Sequence, residues 1–217
     1  MVRSIAIVSL GEATGKTTIA LNLGLALHQL GHRVLVFDAD FTKKNMLEHL
    51  DIHNMPVHIG HVLEGDTHIN DAVYKHITGL KIIPSIIHNY DKFSYHYQDL
   101  LADYDYIILD TPIQLQNLEL VLKNASEAVI VHAPEYSSKA VSDAIDLLTR
   151  LKVVPLGIVL NNFSEDSANS MFDHPILEKI QHHKDIGQSF KLKNPVVYTH
   201  PKSPVTKKFQ RLAKRFG

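Results

Sequence analysis

Ser9-Leu10-Gly11-Glu12-Ala13-Thr14-Gly15-Lys16-Thr17-Thr18 lies between the apolar run Ser4-Ile5-Ala6-Ile7-Val8 and a segment in which Ile19, Leu23, Ala26 and Leu30 recur at helical spacing. Strand, loop and helix in that order are the setting a phosphate-binding loop requires. Backbone N–H groups turn inward on phosphate oxygens, the helix N-terminus adds positive potential, a lysine bridges the outer phosphates and a hydroxyl meets Mg²⁺. Gly15-Lys16-Thr17 supplies the lysine and the hydroxyl in order. The full pattern G-x-x-x-x-G-K-[ST] wants its first glycine where Leu10 stands, and Gly11 comes one residue late. The end of the loop is intact and its entrance has changed.

The rest of the chain repeats the alternation of strand and helix. Val34 to Phe37 runs into Asp38-Ala39-Asp40, and Leu80 to Pro84 is a further strand candidate. Tyr106 to Leu109 ends at Asp110, Ala128 to Val131 ends near Pro134, and Leu156 to Leu160 ends at Asn161-Asn162. Near-continuous apolar strands of this kind predict a mostly parallel sheet covered on both faces, an α/β fold. Ligands of such sheets bind beyond the carboxyl ends of the strands. Asp38, Asp40, Asp110 and Asn161 are therefore expected to gather around Lys16, as a Mg-nucleotide site needs. A single aspartate after a strand is as readily a helix cap.

With 217 residues, 45% hydrophobic content and a formal net charge of −1, the chain fits one globular domain with no general field for nucleic acid. Cysteine is absent, which excludes disulfides, thiolate zinc sites and Cys-ligated clusters and fits a reducing compartment. No leader-like stretch precedes the first strand and no apolar run approaches a membrane span, so a cytoplasmic location is expected. The 15 histidines are scattered, without H-E-x-x-H or any Cys/His cluster, and read as surface or packing residues.

Taken jointly, Thr14 to Thr18, VLVFDAD at Val34–Asp40, His61-Val62-Leu63-Glu64-Gly65-Asp66 and YDYIILDTP at Tyr104–Pro112 resemble the MinD/ParA family of deviant Walker A ATPases. So do Pro134-Glu135-Tyr136-Ser137-Ser138, GIVLNN at Gly157–Asn162, Asn194 to Val197 and Pro201-Lys202-Ser203-Pro204. The resemblance implies a three-layer P-loop NTPase fold over residues 1–217 and a cofactor of ATP or ADP with Mg²⁺. It places Lys16 on the outer phosphates, with Gly11, Thr14, Gly15 and Thr18 in the nucleotide-binding loop. Thr17 and Asp110 would hold Mg²⁺, the latter through water, with Asp38 behind the metal site. Asp40 would orient the attacking water and Asn161 would face the adenine. The chemistry agrees, because phosphoryl transfer needs charge neutralisation and an oriented water more than covalent help.

The same resemblance marks three departures. Gly11 stands where the family has the signature lysine that reaches across a nucleotide-sandwich dimer, so any ATP-dependent homodimer is expected to be weak. Glu12 replaces a glycine; a carboxylate about 4 Å from a phosphate would cost about 4 kcal/mol at an effective dielectric of 20, so Glu12 is expected to point outward. After Asp110, Ile113-Gln114 replace the family's Ala-Gly, where the glycine lets a backbone amide approach the γ-phosphate. The reading is an ATP-dependent spatial switch acting on a protein partner or cargo at a division site, in partitioning or at a pole. The alternatives are a non-hydrolysing nucleotide-binding scaffold and, further off, a relative of bacterial tyrosine kinases, which carry a C-terminal tyrosine cluster not found here.

From Lys191 onward there are eight Lys/Arg and no acid, and Phe209, Leu212, Ala213 and Phe216 fall on one helical face. A basic amphipathic helix of this kind can lie on an anionic membrane. The preferred expectation is that it packs its apolar face on the sheet.

Overall fold

The computed structural model describes residues 2–42, 45–86, 90, 93, 97–100, 102–163 and 172–217. Among them run β1 (Arg3–Val8), α1 (Lys16–Gln29), β2 (Val34–Asp38), α2 (Asn45–Leu50), α3 (Ile59–Glu64), β3 (Tyr74–Lys75), β4 (Lys81–Ile83) and β5 (Tyr106–Asp110). There follow α4 (Leu115–Leu122), β6 (Glu127–His132), α5 (Lys139–Arg150), β7 (Val154–Phe163), β8 (Ile176–Gln181), α6 (Lys184–Lys191), α7 (Val196–Thr199) and α8 (Pro204–Ala213). The strands form one sheet in the order β3-β4-β2-β5-β1-β6-β7-β8, parallel except for the short β3–β4 pair.

Successive residues of a strand face opposite sides, and both sides are apolar here. Ile5, Ile7, Val34, Val36 and Ile108 pack with α1 and with Val196, Phe209 and Leu212 from α7 and α8. Ala6, Val8, Leu35, Phe37 and Leu109 pack on the other side with Leu118 and Val121 of α4, Ala144 and Leu148 of α5, and Tyr97. This is the expected three-layer α/β arrangement. The burial explains the near-continuous apolar strands, since each fully buried Ile, Leu or Phe contributes roughly 1.5–3 kcal/mol.

The C-terminal helix is docked. Phe209 and Leu212 are fully buried, and the backbone carbonyl of Phe216 accepts hydrogen bonds from Arg3 Nη1 at 2.6 Å and Tyr106 Oη at 2.5 Å. Ser203 caps α8, its hydroxyl accepting from Val205 N–H, with Pro204 at the first helical position. The apolar face considered for a membrane is thus spent on the sheet and α1. Among the described residues no helix is long and apolar enough to cross a membrane.

β3 and β8 go beyond the strands read from sequence, and β7 extends further than Leu156–Leu160. β8, Ile176 to Gln181, alternates partly buried, buried and exposed residues at the sheet edge, so it lacks the continuous apolar signature of the central strands.

Candidate nucleotide site

β1 delivers the chain to the loop and α1 carries it away. Gly15 precedes α1 at φ 90°, a left-handed conformation that favours glycine, and a Cβ there would meet Asn161 Nδ2 at 2.2 Å. No side chain caps the first turn of α1 and no acid lies in it, so its leading N–H groups face the cleft without a competing acceptor from a cap. Ala13, at φ 50°, is the second left-handed residue of the loop.

A cleft of about 450 Å³ opens over this loop, lined by Glu12 to Thr18, Asp40, His49, Asp110, Thr111, Ile113 and Phe190. Thr14, Gly15, Lys16, Thr17, Thr18, Asp40 and Asp110 are therefore brought together as the sequence suggested. Gly11, Asp38 and Asn161 are not among the lining residues, though the Asn161 amide bonds the loop at Thr14 O. Glu12 is exposed and is itself one of the lining residues.

Asp38 and Asp110 end adjacent strands in direct register. The Asp38 carboxylate accepts from Asp40 N–H at 3.2 Å, Met46 N–H at 3.2 Å and the Ser85 hydroxyl at 2.8 Å. It thereby ties the end of β2 to the start of α2, behind the cleft. Burial, with the charge of Asp110 next, holds its carboxyl well above the usual range.

Asp110 faces the loop. Thr17 Oγ1 donates to its Oδ2 at 2.5 Å, while its Oδ1 is buried without a hydrogen-bond partner. Burial pushes the Asp110 carboxyl up to about 6, opposed by the Thr17 hydrogen bond and by the charge of Lys16. A buried carboxylate oxygen without a partner, beside a hydroxyl and at the head of an uncapped helix, fits a hard cation. Among the described residues no group of three or more His, Cys, Asp or Glu could hold a metal ion.

The segment after β2 is held by a residue the sequence reading passed over. Tyr90 accepts from Phe41 N–H and donates to Ala39 O, each at 2.9 Å, and stacks on the Phe41 ring at 4.8 Å. The two bonds brace the backbone on either side of Asp40, whose Oδ1 accepts from Thr42 N–H at 3.2 Å.

Asn161 Nδ2 donates to Thr14 O at 2.8 Å, so its amide engages the loop backbone. On the other flank the Tyr136 hydroxyl donates to Glu12 O at 2.7 Å. The Tyr136 ring also occupies the space beside Gly11, where a Cβ would come within 2.6–2.7 Å of ring carbons, and Gly11 N–H turns away to Ser9 Oγ at 3.1 Å. Sequence placed Tyr136 only within a family segment; a glycine opposite an aromatic residue is a pairing that only the fold reveals.

A family model described as an AAA domain matches residues 2–157. The chain belongs to the MinD/ParA family of P-loop ATPases. It is 27% identical over 232 aligned residues to an uncharacterised ATP-binding protein of Methanocaldococcus jannaschii, covering 98% of this chain and 87% of that one. It is 31% identical over 167 residues to the septum site-determining protein MinD of Synechocystis, covering 72% of this chain and 62% of MinD. Among solved structures it superposes on the Pyrococcus horikoshii MinD complexed with Mg-ADP with a TM-score of 0.90, at 27% identity, covering 100% of this chain and 96% of the other.

Proposed function

We propose that this MinD/ParA-family protein binds Mg-ADP and Mg-ATP in the cleft above α1 and uses the bound nucleotide to change its contact with a protein partner in spatial organisation. The observation that carries the reading is Thr17 and Asp110 held together at the N-terminus of α1, with Asp110 Oδ1 buried and unpartnered beside the Lys16 charge. In this reading Lys16 and the amides of Gly15 to Thr18 take the phosphates, and Thr17 and Asp110 take Mg²⁺. Mg²⁺, when bound, neutralises phosphate charge. Asp40 orients water and Asn161 borders the nucleotide. Support comes from the MinD proteins that the chain resembles, one of them solved with Mg-ADP. The protein works in the cytoplasm, with membrane contact only through a partner or another surface, since the α8 face is buried.

The switch is tested by hydrogen exchange across the segment following Asp40, comparing Mg-ADP with a Mg-bound non-hydrolysable ATP analogue. Different protection in the two states is expected; identical protection would reject a nucleotide switch.

A second reading, nucleotide binding without appreciable turnover, is favoured by Gly11 in place of the cross-dimer lysine and by Ile113-Gln114 after Asp110. An ATP-turnover assay with Lys16→Ala as background separates the two.

A further inference from the structure

The carbonyls of Glu12 and Thr14 are each held from outside the loop, the first by the Tyr136 hydroxyl and the second by the Asn161 amide. Peptide units are planar and trans, so a carbonyl and the N–H of the next residue point in opposite directions. Drawing Glu12 O outward to Tyr136 turns Ala13 N–H the other way, and drawing Thr14 O to Asn161 does the same for Gly15 N–H. Both Ala13 and Gly15 line the cleft. The left-handed backbone at Ala13 costs energy for a residue with a Cβ, so the flanking bonds have a conformation to enforce.

We propose that Tyr136 is a positioning residue for phosphate binding: its hydroxyl sets the Glu12–Ala13 peptide so that Ala13 N–H faces the cleft, as Asn161 does for Gly15 N–H. The ring requires residue 11 to lack a side chain, because it fills that space. Gly11 and Tyr136 therefore form a unit that holds the loop from within one subunit. The inference rests on the nucleotide reading above and adds a residue to it.

The test is displacement of a fluorescent ADP analogue by Mg-ADP and by AMP from the full chain and from Tyr136→Phe, which keeps the ring over Gly11 and removes only the hydroxyl. Loss of one net hydrogen bond corresponds to about fivefold, so Mg-ADP should bind about fivefold more weakly to Tyr136→Phe. AMP, which lacks the outer phosphate, should bind both proteins alike, with the apo melting temperature unchanged. Equal Mg-ADP affinity in the two proteins, or equal weakening of AMP and ADP, would overturn the positioning role. No binding of the ADP analogue to the unaltered chain would instead overturn the nucleotide reading, and this inference with it.

Discussion

Asp38 and Asp110 stand in register at the ends of β2 and β5 as two buried carboxylates, 0% and 1% exposed, with Asp110 lining the cleft and Asp38 behind it. Burial favours their protonated forms, the charge of Asp110 adds to this at Asp38 and that of Asp40 at Asp110, and both carboxyls are raised above the ordinary value of 3.8. In the folded protein such groups bind protons more tightly than in the unfolded chain. Their contribution to stability is full below the unfolded value and is lost as pH rises through the folded one, about 6 for Asp110.

The apo protein should therefore gain stability from Asp110 as pH falls from about 6 toward about 4, and Asp110→Asn should flatten that dependence. Keeping Asp110 ionised against a shift from 3.8 to about 6 costs on the order of 3 kcal/mol. Asp110→Asn should accordingly melt higher than the unaltered protein near pH 8 without nucleotide while losing its response to Mg²⁺. Thermal melts across pH, with and without Mg-ADP, check both halves; a lower melting point for the apo variant near pH 8 would count against the buried charge.

The same ionisation sets a limit on ligand binding. In the proposed site the Asp110 carboxylate holds Mg²⁺, so the Mg²⁺ dependence of ADP affinity should weaken about tenfold per pH unit below about 6. A titration of Mg²⁺ at fixed ADP across that range would contradict this if the dependence were flat.

Asp40→Ala should impair turnover more than nucleotide affinity, and Lys16→Ala should impair both. Asp40 lines the cleft with its backbone braced by Tyr90, whereas Lys16 lines it at the start of α1, where the proposed site puts the phosphates. Affinity and turnover measured separately decide it, and equal affinity losses in the two variants would reject the division of roles.

Phe209→Ala should cost about 3–5 kcal/mol of stability, the usual range for emptying a fully buried Phe site. Chemical denaturation measures this, paired with co-sedimentation of the full chain on anionic vesicles. Unchanged stability together with strong vesicle binding that the substitution removes would show a membrane helix.

The central strands and the loop could be read from the chain because each carries a local signal. Continuous apolar runs mark β1, β2 and β5, and Gly15-Lys16-Thr17 marks the loop. What escaped depends on contacts far apart in sequence. Edge strand β8 is only half buried, so its pattern is weak. Tyr136 beside Gly11 and Tyr90 bonded on either side of Asp40 are tyrosines with no local pattern to distinguish them, and only the fold brings the first to the loop and the second to the end of β2. Asp38 was legible as a strand-end acid, but that it faces Ser85 and Met46 behind the cleft follows from the fold alone.

That packing also alters what restoring the family lysine would do. Gly11→Lys must displace the Tyr136 ring, which a Cβ would approach within 2.6 Å, so by itself it should weaken ADP binding instead of promoting a dimer. Gly11→Lys with Tyr136→Ala removes the clash, and light scattering with a non-hydrolysable ATP analogue should show dimer in the double variant only. Dimer formation by Gly11→Lys alone would show that the ring yields easily.

Isothermal titration calorimetry of the full chain with Mg-ADP decides whether the Lys16 loop is a Mg-nucleotide site. One binding event is expected, abolished by Lys16→Ala and accompanied by thermal stabilisation of about 2.7 kcal/mol when free ligand is about 100 times Kd. No heat and no stabilisation, or binding that Lys16→Ala leaves intact, would contradict it.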